Sequence, residues 1–397
     1  MTQSTKLRRR GLCALFLLPG LALSSWVTRT PAIRDTLEAS TGQMGLILLG
    51  LSIGSMAGIV FSGSLVERFG TRAVIGIGAL GVVASMPTIG VAAILGQELI
   101  VGVGLGLFGL GMGSCEVALN IEGAAVEQAT GQPLLPVLHG CFSVGTFIGA
   151  LLGMASTAVQ FPVLWHLVLI GLAGAGLLVW AIRAVPPGTG RASSPERSPD
   201  VSSRGPAVWK DPRLLLIGVI AMAMALAEGT ATDWLPLIMV DGHGFDSTSG
   251  SAVFVIFAAS MAVGRFCGGP IVERFGYVRV LAASATFGLL GMAMVAFVDN
   301  PVITVVAVIA WGLGTSLGFP VALSAAGRSG ARPAARVALV STIGYLALLV
   351  GPPLLGFAGE HLGLRNALAV PILVLAVAVI FVRAARPRAE KAAALKP

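Results

Sequence analysis

Two glutamates stand inside long apolar runs, where a carboxylate is expensive and ordinarily faces a partner or a water-filled space. Glu116 lies in the run Leu99–Asn120, and Gly109, Gly113, Glu116, Asn120, Gly123 and Glu127 recur at spacings of four and three, one stripe of a helix. A carboxylate that exchanges a proton near neutral pH is what a proton carrier requires. Asn120, one turn on, could donate to it or to a polar ligand, and Gly109 and Gly113 would leave room beside it. The structural alternative is a Glu116 paired to another helix, for example towards His139. Glu228 is the second candidate, expected near the outer end of Leu214–Trp234 and lining a vestibule there, with Asp233 as a solvated cap and Trp234 as an interfacial anchor. Trp311 falls near the middle of Val302–Ala325, where its ring could stack on a sugar or cation or pack between helices. His139, opening Leu138–Val159, reads as a proton relay or as a capped, hydrated side chain. Arg29 and Arg34 could meet an entering anion, or pair with Asp35 or Glu38.

These residues need elements to hold them, and composition says which. Hydrophobic residues make up 55% of the 397, charged residues 11%, and the mean hydropathy is +0.90. A soluble domain carries roughly a quarter charged residues, so the solvent around most of this chain is lipid. Apolar runs of about 20 residues, enough to cross a bilayer core, occur twelve times, six on each side of a segment rich in Pro, Gly and Ser. The expected organisation is therefore a six-helix half over residues 1–185, a linker over 186–212 and a second half over 213–397.

Basic residues orient the spans. With the N-terminus in the cytoplasm, 23 of the 26 Lys and Arg fall on the cytoplasmic side, leaving Arg29, Arg34 and Arg365 outside. Both termini are expected inside, and the net charge of +8 reflects this bias, with no basic face interleaved with aromatics to suit nucleic acid. The basic start and first run also have the look of a secretory signal, but removing them would leave eleven spans and break the six-plus-six pattern. Cys13, Cys115, Cys141 and Cys267 lie within or beside spans, so no disulfide is expected. No nucleophile–base set, phosphate loop or metal-ligand spacing is present. Neither an enzyme nor a cofactor is expected.

A charged turn recurs inside this apolar background. Gly63-Ser64-Leu65-Val66-Glu67-Arg68-Phe69-Gly70-Thr71-Arg72 returns as Gly269-Pro270-Ile271-Val272-Glu273-Arg274-Phe275-Gly276, with Arg279 three residues on, and Val-Glu-Arg-Phe-Gly repeats at an offset of 206 residues. The same offset pairs Gly106 with Gly312 and Gly145 with Gly351. The chain is a duplication. Its turn resembles the G-x-L-x-D-R-x-G-R-[RK] loop of the major facilitator superfamily, matching at Gly63, Leu65, Arg68, Gly70 and Arg72, with Glu67 for the usual Asp and Thr71 for the first trailing base. That resemblance implies a twelve-helix transporter of two parallel repeats. Glu67 could then pair with bases or with the positive N-terminal end of a helix of the other half, such as the one near Arg336, and so hold an inner gate shut. The plainer reading is a solvated turn obeying the charge bias.

Gly111 to Asn120 also resembles the fourth helix of fucose–proton symporters, which implies a sugar and proton role for Glu116, although the first helix lacks the acidic residue those symporters carry. A broader likeness, through Trp26 to Pro31, Glu116, Asn120, His139, Ser143, Glu228, Asp233, Trp234 and Ser341 to Tyr345, is to bacterial inner-membrane facilitators whose substrates are poorly assigned. The expected function is alternating-access transport of a small polar solute, proton-coupled, by a monomer in the bilayer. A drug or metabolite exporter and a non-transporting sensor on the same fold are the alternatives.

Overall fold

The computed structural model describes residues 3–131, 134–191, 208–330 and 332–382. Among these, all regular structure is helical, and twelve stretches are long and apolar enough to cross a membrane. In chain order the helices are α1 (Gln3–Val27), α2 (Thr30–Leu37), α3 (Thr41–Phe69), α4 (Thr71–Ile94), α5 (Glu98–Thr130), α6 (Leu135–Ala158), α7 (Val163–Ala181), α8 (Pro212–Leu237), α9 (Ser247–Phe275), α10 (Tyr277–Phe297), α11 (Pro301–Gly327), α12 (Pro333–Leu362), α13 (Leu364–Ala367) and α14 (Ala369–Phe381).

Local sequence sets several starts. Ser40 and Gln43 form a reciprocal capping box ahead of α3, with the Gln43 amide donating to Ser40 Oγ at 3.2 Å and the Ser40 amide donating to Gln43 Oε1 at 2.7 Å. Asp211 accepts from the amides of Arg213 and Leu214 at the head of α8, and Asn300 from those of Val302 and Ile303 at the head of α11. The two copies of the charged turn share one geometry. Gly70 (φ 84°, ψ 161°) and Gly276 (φ 79°, ψ 158°) lie in a region that side chains disfavour, and their amides donate to Val66 O at 2.7 Å and Val272 O at 2.8 Å. Packing repeats as well. A Cβ on Gly54 would fall 2.0 Å from Gly106 O, and 206 residues on, a Cβ on Gly312 would fall 2.8 Å from Ser260 Cβ. Small residues there let two helices cross at backbone contact.

Two helices run further than their apolar runs. The fourth span, expected to end at Asn120, continues in α5 to Thr130 and stops at Gly131 in the left-handed region (φ 66°). Its extra polar residues are satisfied: Glu122 by Arg8 and Thr71, Glu127 by the amides of Leu134 and Leu135 at the start of α6. Glu116 consequently sits near the middle of its helix rather than towards one end. The seventh span, expected to close at Trp234, continues through Leu237 into a π-turn over Ile238–Gly242. Asp233 and Trp234 are therefore buried, at 7% and 1% exposure, and neither is the interfacial group that the sequence implied.

The chain divides into two compact units, Met1–Val201 with Phe245–Val255, and Ser202–Gly244 with Ile256–Pro397. The first two turns of α9 thus group with the first unit, where Ser251 Oγ donates to Thr28 O at 2.9 Å. Most of the expected linker, 192–207, lies outside the described residues, as do the C-terminal bases beyond 382. Within each unit the leading helix is the most enclosed: 72% of the α1 span window and 67% of the α8 window are buried, against 50% or less in the other ten. That enclosure explains the tryptophans. Trp165, Trp180 and Trp209 are exposed as an aromatic belt requires, whereas Trp26, at the end of α1, is 1% exposed like Trp234 at the end of α8.

Candidate functional site

In the second unit, α8 and α9 bring an acid and a base together. Arg265 Nη2 donates to Glu228 Oε1 at 2.6 Å, and each side chain keeps about a quarter of its surface exposed (25% and 27%). The sequence alone suggests an outer vestibule for Glu228. The π-turn extension of α8 moves Glu228 to mid-helix, and Arg265 lies roughly 15 Å along the axis from Phe275 at 1.5 Å per residue. The two meet at depth.

Trp311 packs beside this pair, enclosed by protein. Its ring is fully buried, its Nε1–H donates to Ala227 O at 3.1 Å, and it sits edge-on to Phe257 with centroids 5.9 Å apart. Ala227 immediately precedes Glu228, and Phe257 lies on the helix that carries Arg265. One indole on α11 thus ties together the two helices that hold the ion pair.

In the first unit, α5 sorts its stripe by neighbour. Gly109 and Gly113 do not leave room beside Glu116: a Cβ on either would fall 2.1 Å from Leu51 O or 2.5 Å from Ser55 O, so they are where α3 packs. Gly123 packs on Leu135 and Leu138, and Glu127 caps α6. Glu116 and Asn120 are half-buried. His139 is exposed, with its ring edge-on to Phe16 at 5.3 Å.

The carboxylate that the sequence reading passed over is Glu122. It is fully buried and accepts from Arg8 Nε at 2.8 Å, Arg8 Nη2 at 2.5 Å and Thr71 Oγ1 at 2.6 Å. Thr189, just past the last span of this unit, joins the cluster: it receives Arg8 Nη2 on its hydroxyl at 3.4 Å and the Thr71 amide on its carbonyl at 2.9 Å. Thr71 stands where the superfamily loop has a base, and its hydroxyl fixes the turn to α5. The available signal was spacing, since Phe108, Gly111, Cys115, Ala118 and Glu122 follow a three–four pattern and all are buried.

The charged turns themselves are exposed. Glu67, Arg68, Glu273, Arg274 and Arg279 lie on the surface, with Arg68 and Arg274 over the rings of Phe69 and Phe275 at 5.1 and 5.4 Å. Arg72 is half-buried and lines a shallow groove with Phe69 and Arg191. Arg336, beside the helix start offered as a possible partner for Glu67, is buried and paired with Asp211. No atom lies within 4 Å of a Cβ built on Gly63 or Gly269, so close approach is not their role.

Arg34 pairs with Asp35 at 2.7 Å as expected. Arg29 does not stay in the solvent. It is 4% exposed and donates to Thr157 Oγ1 at 3.3 Å in the last turn of α6 and to Phe161 O at 2.5 Å just beyond that helix, and burial lowers its pKa. Among the described residues no group of three or more His, Cys, Asp or Glu could hold a metal.

The comparisons agree with this architecture. A family profile described as Major Facilitator Superfamily matches residues 11–335 and 269–397. An uncharacterised MFS-type transporter of Yersinia pestis is 29% identical over 374 residues, covering 91% of this chain and 92% of the relative. The membrane protein MosC of Rhizobium meliloti is 25% identical, covering 93% and 88%. Among solved structures, a variant of the nucleoside transporter NupG superposes with a TM-score of 0.75 at 15% identity, covering 95% and 98%. The Escherichia coli fucose:proton symporter FucP superposes at 0.66 and 19%, covering 97% of this chain and all of the other. Twelve apolar spans, a duplicated loop and these matches together identify a multi-pass protein of the bacterial inner membrane: the chain belongs to the Major Facilitator Superfamily.

Proposed function

We propose that this transporter moves a small polar organic solute together with protons, by alternating access between an N-terminal half (1–185) and a C-terminal half (213–397) joined by a cytoplasmic linker (186–212). The Glu228–Arg265 pair carries the reading. Two charges near mid-span, each a quarter exposed, would be expensive against hydrocarbon, so their open edge belongs to a face that water reaches. Charged groups on such a face are where a coupling ion or a polar solute would be met during the proposed cycle. Glu116, with Asn120 one turn on, is the corresponding group of the first unit. Its surroundings resemble the helix that the fucose:proton symporters use, and FucP shares the fold. Both termini lie in the cytoplasm in this reading, on the side favoured by the basic residues. The charged turns form the inner gate, with Glu67 released and re-engaged as it opens and closes.

Thermal unfolding of the purified chain against sugars, polyols, nucleosides, amino acids and lipophilic cations identifies ligands of the native state. Proteoliposome uptake under an imposed pH gradient then tests coupling. The expected result is stabilisation by a polar solute, with pH-driven uptake lost in Glu116→Gln and Glu228→Gln while binding persists. Stabilisation by lipophilic cations alone would replace this reading with an exporter, and ligand binding without flux would replace it with a sensor.

A further inference from the structure

We propose that the first unit holds a small monovalent anion at the start of α7, bound by Arg29, by the uncapped amides of that helix and by His166. The site stands apart from the transport reading above, whichever solute is carried and whether or not protons move with it. Arg29 is a buried guanidinium, 4% exposed, whose two hydrogen bonds go to neutral oxygens, Phe161 O and Thr157 Oγ1, and its Nε has no partner. Among the described residues no carboxylate pairs with it, and burial alone acts on its pKa. Asp35, six residues on, is taken by Arg34. The other buried arginine among the described residues, Arg336, has its charge met by Asp211. An ionised group taken out of water without a counter-charge is costly to any fold, and one negative charge at Arg29 removes that cost.

The donors meet at one end of one helix. Phe161 O, which receives Arg29 Nη2, belongs to the residue two before Val163, where α7 begins. Pro162 supplies no side-chain cap, and the first amide bonded in the helical pattern is that of His166, to Pro162 O at 3.1 Å. The amides of Val163, Leu164 and Trp165 are therefore the orphan donors at the positive end of the helix dipole. His166, one turn in, is 4% exposed with neither ring nitrogen bonded. Side chains on a helix lean towards its N-terminus, and Arg29 is near enough for its charge to act on that ring. A neutral imidazole in either tautomer presents one N–H to an anion. Burial of both side chains restricts the ligand to halide size or to the head of a carboxylate, and the single charge of Arg29 matches one negative charge, not two. Val159 and Gln160, just ahead of Phe161, are exposed, which gives the ion a short way in. The fold itself does not need these groups, since 206 residues on Arg29 answers to Leu235 and His166 to Ile372.

The test uses the purified full-length chain in detergent at about pH 8, where imidazole is neutral. Chloride, nitrate and formate are added at constant ionic strength against isethionate, a monoanion too bulky for the site. Chloride NMR line broadening reports binding directly, and the thermal midpoint should rise saturably with at least one of the three anions but not with isethionate. A response to chloride and nitrate assigns the site to a free inorganic ion, whereas a response to formate alone assigns it to the carboxylate end of a solute. Arg29→Gln keeps an amide that can donate to Phe161 O or Thr157 Oγ1 but carries no charge. It should weaken binding about a hundredfold or abolish it, and Arg29→Lys should restore part of the loss. His166→Leu leaves the charge in place and should weaken binding about tenfold. Should Arg29→Gln not yield folded protein, His166→Leu decides alone. Saturable binding that is unchanged in either variant overturns the proposal, and so does a wild type that treats all three anions like isethionate.

Discussion

Removing Arg8 should destabilise the first unit far more than its position near the chain start would imply. Glu122 is fully buried and depends on two contacts from Arg8, at 2.8 and 2.5 Å, and one from Thr71 at 2.6 Å. Arg8→Met deletes the only cation among these contacts and leaves a carboxylate inside the bundle with one hydroxyl donor. Breaking a buried pair from one side costs about 3–5 kcal/mol. The Arg8 side chain is 21% exposed, and water reaching Glu122 through the vacated space recovers part of that, so about 2–4 kcal/mol is the working figure. Glu122→Gln should cost less, since an amide can still accept from Thr71 without carrying charge. The double variant should lie well above the sum of the singles, with a coupling of about 1–3 kcal/mol. Unfolding midpoints of the four proteins in one detergent complete the cycle, and Arg10→Met, an exposed base one residue pair along the same helix, is the control. If Arg8→Met and Arg10→Met shift the midpoint equally, or the cycle shows no coupling, then Glu122 is not held as described.

Gly70→Ala and Gly276→Ala should each lower stability by about 1–2 kcal/mol, because φ of 84° and 79° is strained for alanine, while Gly63→Ala and Gly269→Ala should be neutral in the same unfolding assay. Trp311→Phe removes the hydrogen bond to Ala227 O and should cost about 1 kcal/mol; if Trp311 positions Glu228, the pH dependence of uptake shifts as well, and an unchanged pH profile would leave it a packing residue only. His243, between α8 and α9, has its pKa lowered first by burial and then by Arg365, against an opposing hydrogen bond in which its Nε2–H donates to Val295 O. Its folded pKa lies below the unfolded value of about 6.5, so the unfolded chain binds more protons and stability is lost as pH falls through that range. The midpoint should therefore drop between neutral and mildly acidic pH in the wild type and drop less in His243→Asn.

What the sequence displayed clearly was whatever repeats or runs long. Twelve apolar stretches and the 206-residue offset contain the fold, and the turn geometry at Gly70 and Gly276 follows from two glycines in equivalent places. Element ends were harder, for a physical reason. Helix α5 passes Asn120 because Glu122 and Glu127 find partners on other segments, and no local pattern announces partners 114 residues back or seven residues ahead. The same blindness puts Arg29 in solvent and Trp234 at the interface, since only tertiary packing makes α1 and α8 the enclosed helices of their units. Pairing was least legible. Glu228 and Arg265 were both visible as charges in apolar runs, but their meeting depends on α8 continuing past Asp233, and Pro236 together with the aspartate gave every local reason to end it.

The duplication also separates scaffold from chemistry. Positions that pack are kept across the 206-residue offset, as with Gly54 and Ser260 opposite Gly106 and Gly312, and so are the charged turns at Glu67 and Glu273. The charges at depth are not. Glu228 answers to Ala22, Arg265 to Ile59, Glu116 to Ala322 and Asn120 to Ala326. At each of these positions the other copy of the fold stands with an apolar residue, so crossing helices do not require an ionisable group there. A buried ion pair is moreover weak support for stability, because apolar residues of similar volume often serve as well. If folding needs these charges in neither copy, what keeps each in one copy is work that the two halves do not share.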